Sequence, residues 1–515
     1  MPNSVSRSNL QKWGLGLGAI LFLILAVFLT FGAEFPRAGK MAAVAVLMAA
    51  WWITDAIPLF ATALLPLIFF PAFGILKADD IAHLYINSTI FLFIGGFMIA
   101  LTMEKWSLHK RIALTIIRFI GGSADRIILG FMAAAAFLSM WISNTATAVM
   151  MMPIGLAIIV QMEDQFSAGT TRQFSTGLML GIAYACSVGG IATLVGTPPN
   201  LAFTRIFQIT FPGAEPIAFG TWLLMGLPLA VIMLVIIWFM ITKLFYRIPQ
   251  SIHADTNIVE SEYASLGPIQ FEERVVLIVF MLTALLWIFR RPLTLGSFTI
   301  PGWSQLIPYP KLVDDGTVAI FMAAILFFIP SRSPRAKTAT IMGADVVRRL
   351  PWNIVLLFGG GFALAKGMQA SGLSEIIGNH LMGFQHIHPL IIIMIICLSI
   401  TFLTELTSNT ATTQMILPIL ASVAIAMHLN PLILMIPATL AASQAFMMPV
   451  ATPPNAIVFG SERVEIRDMA KIGFFINLIG VLVITLVFYY LGQQVFGFDP
   501  TQFPDWANHT AGIHP

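Results

Sequence analysis

The feature that most constrains this chain is a succession of apolar stretches that recur along nearly its whole length. About 20 apolar residues, wound as a helix, span a bilayer. In lipid the backbone must satisfy its own hydrogen bonds, which makes the helix the natural reading of each stretch. Composition agrees: 58% of the 515 residues are hydrophobic, 10% are charged, and the mean hydropathy is +0.88. A soluble domain carries about 25% charged residues, so these charges cannot cover a water-facing surface of this size. The chain reads as an all-α integral membrane protein. Its net charge of +3 points to no nucleic-acid partner. Cys186 and Cys397 lie in apolar segments and read as small core residues, leaving the redox compartment open.

The pattern predicts eleven spans, near 13–33, 41–54, 56–72, 88–104, 175–210, 221–245, 272–289, 317–330, 352–369, 431–460 and 473–495. The first is too long for a signal peptide's apolar region and has no cleavage site after it, so it is expected to be retained. Two other apolar stretches, 127–160 and 389–426, are interrupted near the middle by polar residues. Each half is about 16–18 residues, short for a span, and broken backbone at membrane depth is tolerated only in protein or against water. Both are expected to be re-entrant hairpins. With the N-terminus cytoplasmic, 19 of the 27 Lys and Arg residues fall in cytoplasmic segments, six fall outside, and Arg205 and Lys366 lie within spans. That asymmetry follows the positive-inside rule and puts the C-terminal tail, 496–515, outside. Residues 105–126 are too charged to span. They read as an interfacial helix with Leu108, Ile112, Ile116 and Phe119 on one face and Lys110, Arg111 and Arg118 on the other. A less basic counterpart is expected at 371–388. The polar segment 246–271 is expected to link two halves.

Those halves are related. Phe93-Ile-Gly-Gly-Phe97 recurs as Phe358-Gly-Gly-Gly-Phe362, and Ser143-Asn-Thr-Ala-Thr147 with Pro153 recurs as Ser408-Asn-Thr-Ala-Thr412 with Pro418, both at an offset of 265. Thr197-Pro-Pro-Asn200 recurs as Thr452-Pro-Pro-Asn455 at an offset of 255, so ten residues are lost between hairpin and loop in the second half. An odd number of spans per half inverts the second half relative to the first. Repeats 41–245 and 272–495, following the N-terminal segment 1–40, thus form an inverted pair. Inverted repeats around broken helices are the architecture of secondary transporters, with the site at the repeat interface.

A Ser-Asn-Thr tripeptide is ordinarily a helix cap. Here it sits twice in mid-membrane, where unsatisfied hydroxyl and amide groups cost several kcal/mol each. A turn there points the second arm's N-terminus, with its free N–H groups, at the centre of the protein, a setting for a carboxylate or other oxyanion. The same turns offer hard oxygen donors suited to Na⁺. Ser139 and Thr404, four residues before Ser143 and Ser408, share the helix face of the tips; their hydroxyls either complete a cation shell or bond their own i−4 carbonyls. The paired prolines of each Thr-Pro-Pro-Asn motif unwind their helix, freeing carbonyls near Gly196 and Ala451, with Thr197 and Thr452 towards the anion. The alternative is a packing kink.

Asp55, Lys366 and Glu405 are intramembrane charges, functional hypotheses by default. Glu405 lies three residues before Ser408, where the first half has Met140, and is placed to tune the second site. Lys366 and Asp55 lie near span ends. The nine histidines show no ligand spacing, and His386 and His388 precede the second hairpin. Asn87-Ser-Thr89 and Asn508-His-Thr510 match the glycosylation pattern. No phosphate-binding loop is present, which argues against a primary pump.

With these paired motifs in place, the sequence resembles the divalent anion/sodium symporter family, which carries dicarboxylates, citrate or sulfate. The resemblance covers about residues 40–495. It implies a homodimer of protomers, each with a scaffold and a transport domain that moves elevator-fashion. It also implies one sodium site at Ser139, Ser143, Asn144 and Gly196 and a second at Thr404, Ser408, Asn409 and Ala451. Substrate carboxylates would be held by Asn144, Thr145 and Thr197 and by Asn409, Thr410 and Thr452. Ala451 replaces the first half's Gly196, a change that a backbone carbonyl ligand tolerates.

The expected function is sodium-coupled symport of a succinate-, fumarate- or malate-like dicarboxylate, Na⁺ being the coupling ion, in the inner membrane of a bacterium. Sodium-independent exchange is the alternative, as is citrate or sulfate as substrate. An anion channel or membrane enzyme is the contrasting class, and no catalytic constellation supports the latter.

Overall fold

The computed structural model describes residues 7–165, 168–248, 257–295, 298–334, 338–380, 388–500 and 502–508. Apart from one short strand pair, β1 (Leu293–Leu295) with β2 (Phe298–Ile300), its regular structure is helical. Among the described residues six helices are long and apolar enough to cross a membrane: Asn9–Phe28, Ala78–Lys105, Asn144–Glu163, Phe219–Phe245, Asn409–Ala426 and Ile466–Phe496. Several present large apolar side chains outwards, such as Val231, Ile232, Val235 and Phe239 on Phe219–Phe245. Stripes of this kind on the outer surface suit lipid rather than water.

α1 (Asn9–Phe28) starts from a capping box made by Ser8 and Gln11. α2 (Ala38–Thr54) ends at Asp55, whose φ of +48° stops the helix. The span expected at 56–72 is divided into α3 (Leu59–Thr62) and α4 (Leu65–Ala72). Between them the Ala63 carbonyl accepts the hydroxyl of Tyr85, at the end of α5 (Ala78–Tyr85). α6 (Ser88–Lys105) is capped by Asn87, whose Oδ1 accepts from Thr89 and Ile90 at 3.1 and 3.3 Å and whose amide donates to Leu84.

α7 (Leu108–Ile120) is the expected interfacial helix, but its faces are rotated from the reading above. Phe119 is 91% exposed, while Arg111 is buried beside Leu108, Leu114 and Ile117. The reason is a distant partner: Arg111 pairs with Glu273 at 3.0 Å and donates to the Gly267 carbonyl. Arg118 and Lys110 pair with Glu260 and Glu262 of α13 (Asn257–Ser265), both at 2.7 Å, so the linker is clamped to α7.

α8 (Ala124–Ser139) and α9 (Asn144–Gln165) are the arms of the first interrupted stretch, and α10 (Ala168–Gly190) packs on both. Gly177 and Gly181 lie against Ile128 and Met132, so α8 runs parallel to α10. Gly155 lies against Met179 and Gly190 against Asn144, so α9 runs antiparallel to it. The chain therefore doubles back at residues 140–143. α9 is 22 residues long, more than the expected half-stretch, because it continues into polar sequence beyond 160. α11 (Pro198–Thr210) and α12 (Phe219–Phe239) complete the first half, α12 continuing as a π-helix to Phe245.

The second half repeats the plan: α14 (Phe271–Ile288), α15 (Asp315–Phe328), the short α16 (Ala344–Arg348), α17 (Trp352–Ala370) and α18 (Leu373–His380). Part of the counterpart expected at 371–388 and His386 lie outside the described residues; His388 caps α19 (Pro389–Thr404), accepting from Leu390 at 3.2 Å. α20 (Asn409–Ala426), α21 (Leu432–Ala441), α22 (Pro453–Phe459) and α23 (Ile466–Val487) follow. Cys397 and Thr404 meet the carbonyls of Pro437 and Ala442 in the same order, so α19 runs parallel to α21; the short turn at 427–431 folds α20 back against α21. This stretch, too, is a hairpin.

Contacts obey the repeat. Phe93 and Phe358 meet edge to face at 5.3 Å. A Cβ on Gly95 would lie 2.7 Å from Ala319, and one on its mate Gly360 would lie 2.5 Å from Ala63. Glycine at both positions lets two helix backbones approach closely.

Candidate functional site

Where the two long helices break, the unwound segments are wider than the motifs. They run over 191–197 between α10 and α11 and over 442–452 between α21 and α22. The prolines do not occupy the breaks. Pro198 and Pro199, like Pro453 and Pro454, open the second half-helix, where a missing N–H costs nothing. The breaks are held open by side chains. Asn200 Nδ2 donates to the carbonyls of Gly190 and Thr193 at 3.3 and 2.7 Å; Asn455 Nδ2 donates to those of Ala445 and Met448 at 3.1 and 3.0 Å. The acceptors are repeat mates. Both asparagines are fully buried, and their motifs were visible in the sequence, but only the folded chain gives them this task.

Each hairpin tip is tied to the adjoining helix near its break, the first at Cys186 within α10 and the second at Ala442 just past the end of α21. Ser139 Oγ contacts Asn144 Oδ1 and lies 2.7 Å from the Cys186 carbonyl; Thr404 Oγ1 lies 2.6 Å from Asn409 Oδ1 and 2.9 Å from the Ala442 carbonyl, each hydroxyl sharing its single proton between two acceptors. Neither hydroxyl bonds its i−4 carbonyl. Ser143 Oγ accepts from Ala146 as a helix cap, and Thr452 Oγ1 accepts from Asn455. A Cβ on Gly190 would fall 2.9 Å from Asn144 Oδ1, and one on Gly196 would fall 2.5 Å from the Gly190 carbonyl. The Asn144 amide and the Gly196 carbonyl oxygen thus crowd against Gly190, and Ser139 Oγ contacts the same Asn144 oxygen. This donor set, hydroxyl, amide and carbonyl oxygen, fits an alkali cation.

All six residues expected to hold substrate, Asn144, Thr145, Thr197, Asn409, Thr410 and Thr452, line one cavity of about 930 Å³. Ser143, Gly196, Ser408 and Ala451 line it as well, whereas Ser139 and Thr404 are fully buried behind it. Among the described residues its charged lining consists of Arg7 and Asp55. Trp52, Leu59, Phe60, Asn353 and Leu357 form the facing wall. Lys366 does not line it and donates to Gln369 at 2.9 Å.

The two tips differ in surroundings. Trp141 stacks on Phe219 at 6.0 Å and meets Phe280 of α14 edge-on at 5.1 Å, with Val195 packed beside it. Their repeat mates, Leu406 and Val450, are 71% and 81% exposed; both line the cavity, which Val195 also borders but Trp141 does not. Nothing in the local sequence announces that asymmetry.

A family model for the sodium:sulfate symporter transmembrane region matches residues 12–497. The chain belongs to this family, the divalent anion/sodium symporters. Members are transport proteins, not enzymes, and the chain is an integral membrane protein. The sodium-dependent dicarboxylate transporter SdcS of Staphylococcus saprophyticus is 41% identical over 498 residues, 96% of this chain and 93% of the relative. SdcS of Staphylococcus aureus is 42% identical over the same shares. The family fold extends to solved structures at low identity. Neisseria gonorrhoeae MtrF, described as illuminating a class of antimetabolite efflux pumps, superposes with a TM-score of 0.54 at 12% identity, covering 94% of this chain and 95% of that one. The Alcanivorax borkumensis YdaH transporter superposes with a TM-score of 0.51 at 14% identity over 94% and 98%.

Proposed function

We propose that the chain is a sodium-coupled symporter of small dicarboxylates such as succinate, fumarate or malate. One observation carries the reading: two Asn-Thr tips and two Thr-Pro turns, one of each from either half, line a single cavity with almost no fixed charge. A dianion there must be neutralised by helix N-termini and by ions that arrive with it. α9 and α20 begin at the cavity wall with free N–H groups and positive dipole ends, and α11, which opens on two prolines, adds its dipole end alone. Two sodium ions, one at Ser139, Ser143, Asn144 and Gly196 and one at Thr404, Ser408, Asn409 and Ala451, would supply the remaining charge and order the tips. Coupling follows, because the anion site is complete only with the ions in place. The relatives that match nearly the whole chain are sodium-dependent dicarboxylate transporters, which supports both sodium and dicarboxylate.

The membrane arrangement belongs to the same proposal. Repeats 41–245 and 272–495, joined by 246–271, are inverted, and their hairpins are re-entrant. The N-terminus is cytoplasmic and the tail after 495 lies outside, in a bacterial cell membrane. In that orientation Trp52–Phe60 and Asn353–Leu357 lie at cytoplasmic helix ends, so the cavity opens inwards. The packing of half-buried Trp141 and buried Val195, against the exposure of their mates, supports alternating access, each tip in turn sealing one side. The elevator motion of a transport domain past a scaffold, in a homodimer, rests on the family resemblance. The test is uptake of radiolabelled succinate into proteoliposomes with a Na⁺ gradient, competed by citrate and sulfate. Uptake undiminished when choline replaces Na⁺ refutes the proposal.

A further inference from the structure

Glu405 is buried, 3% exposed, in the first arm of the second hairpin, immediately after Thr404. Its carboxylate accepts four hydrogen bonds. Oε1 takes the backbone N–H of Phe446 and Met447 at 2.7 and 2.9 Å and Asn477 Nδ2 at 2.7 Å; Oε2 takes the N–H of Met448 at 3.1 Å. Three successive amides of the unwound segment 442–452 thus converge on one side chain. The same segment is gripped elsewhere: Tyr184 of α10 donates to the Phe446 carbonyl at 2.8 Å, and Asn455 holds the carbonyls of Ala445 and Met448.

The first half solves this problem differently. Glu405 corresponds to Met140, and Met448 corresponds to Thr193. There the Thr193 hydroxyl donates to the Met140 carbonyl at 2.5 Å and accepts the Gly196 N–H at 3.0 Å. The hydroxyl thus spans the gap from hairpin tip to unwound segment. In the second half Met448 has no hydroxyl, and the carboxylate of residue 405 reaches across the same gap from the opposite side. The exchange of Met-Thr for Glu-Met is reciprocal: one bracing group per half, on alternate partners.

We infer that Glu405 is a positioning residue for the second cation site: it fixes the 442–452 segment whose Ala451 carbonyl, with Thr404, Ser408 and Asn409, would face the ion. The inference rests on the proposed sodium reading and adds that the two cation sites are unequal. The second is braced by a formal negative charge, the first by a neutral hydroxyl. A charge-assisted bond is about twice as strong as a neutral one, so the second site is the better ordered before the ion arrives and fills at lower sodium.

The experiment measures the Na⁺ dependence of succinate uptake in proteoliposomes for wild type, Glu405→Gln, Glu405→Met and the double variant Glu405→Met with Met448→Thr. Glutamine keeps the volume but turns one acceptor into a donor facing N–H groups. Its half-saturating Na⁺ is expected to rise about tenfold or more, with kcat and the KM for succinate at saturating Na⁺ within about twofold. The double variant rebuilds the first half's brace in the second and is expected to recover most of the loss seen in Glu405→Met. Sodium-dependent thermal melting in detergent provides a readout independent of transport, with a smaller Na⁺-over-K⁺ shift expected for Glu405→Gln. An unchanged half-saturating Na⁺, a fall in kcat alone, or a double variant no better than Glu405→Met overturns the inference. A wild-type protein without any sodium response instead fails the underlying functional reading.

Discussion

The proposed first cation site is expected to be intolerant of a single methyl group at Gly190. A Cβ there would lie 2.9 Å from Asn144 Oδ1 and 3.1 Å from its Nδ2. Ordinary contact begins near 3.4 Å, so the Asn144 amide must withdraw by about 0.5 Å, the tolerance within which a binding constellation has to be held. The worst of the clash falls on the end of a side chain, with the Gly196 carbonyl oxygen at 3.3 Å needing to give by only about 0.1 Å, so the fold survives. Overpacking of this kind costs about 1–3 kcal/mol, or about a 5- to 150-fold loss of affinity. Because Asn144 is placed to serve both ion and substrate, Gly190→Ala should raise both the half-saturating Na⁺ and the KM for succinate by factors in that range, while its melting temperature in detergent falls by a few degrees at most. The second half supplies the control. Its equivalent, Ala445, already carries the methyl, since that unwound segment starts earlier relative to the tip, at residue 442, and leaves more room. Ala445→Gly is therefore expected to be close to neutral. A Gly190→Ala protein with wild-type sodium and succinate dependence would refute the assignment of Asn144 to the ion.

Further outcomes follow from the same geometry. Asn144→Ala and Asn409→Ala should each abolish succinate uptake while the protein remains monodisperse in detergent; normal uptake by either contradicts the site. Phe280→Ala removes the edge-on partner of Trp141, an aromatic contact worth about 0.5–1.5 kcal/mol, and so should speed maleimide labelling of a cysteine at Ile99, packed beside both rings and away from the cavity, severalfold, with the buried Cys186 and Cys397 silent; an unchanged rate argues against a sealed side. Arg111→Ala leaves Glu273 buried without its ion-pair partner and should destabilise the protein by about 3–5 kcal/mol in thermal or denaturant melts, whereas replacing both by methionine should recover most of that.

Much of the site was legible because the chain states its motifs twice. One Ser-Asn-Thr is a helix cap; two at a constant offset beside two Thr-Pro-Pro-Asn turns identify four pieces of one cavity, and all four line it. The extent of the breaks was not legible. Ile191, Ala192 and Leu194, like Ala442, Ala445 and Phe446, are residues that helices accept, and they are unwound by Asn200, Asn455 and Glu405 acting from other segments. Local propensity carries no trace of such partners. The rotated face of α7 has the same origin, since an arginine is read as outward unless its glutamate, 162 residues away, is known to be waiting. The division of the 56–72 stretch likewise depends on Tyr85 reaching the Ala63 carbonyl.

The clamp on α7 bears on how motion enters the first hairpin. Three ion pairs hold this helix to α13 and to the start of α14, and only Gly121, Gly122 and Ser123 separate it from α8. Gly122 sits at φ +129°, a backbone setting that side chains disfavour. If the hairpin slides while its neighbour stays moored, this three-residue joint is the fulcrum, and the stroke of the carrier is limited by how far so short a tether can swing.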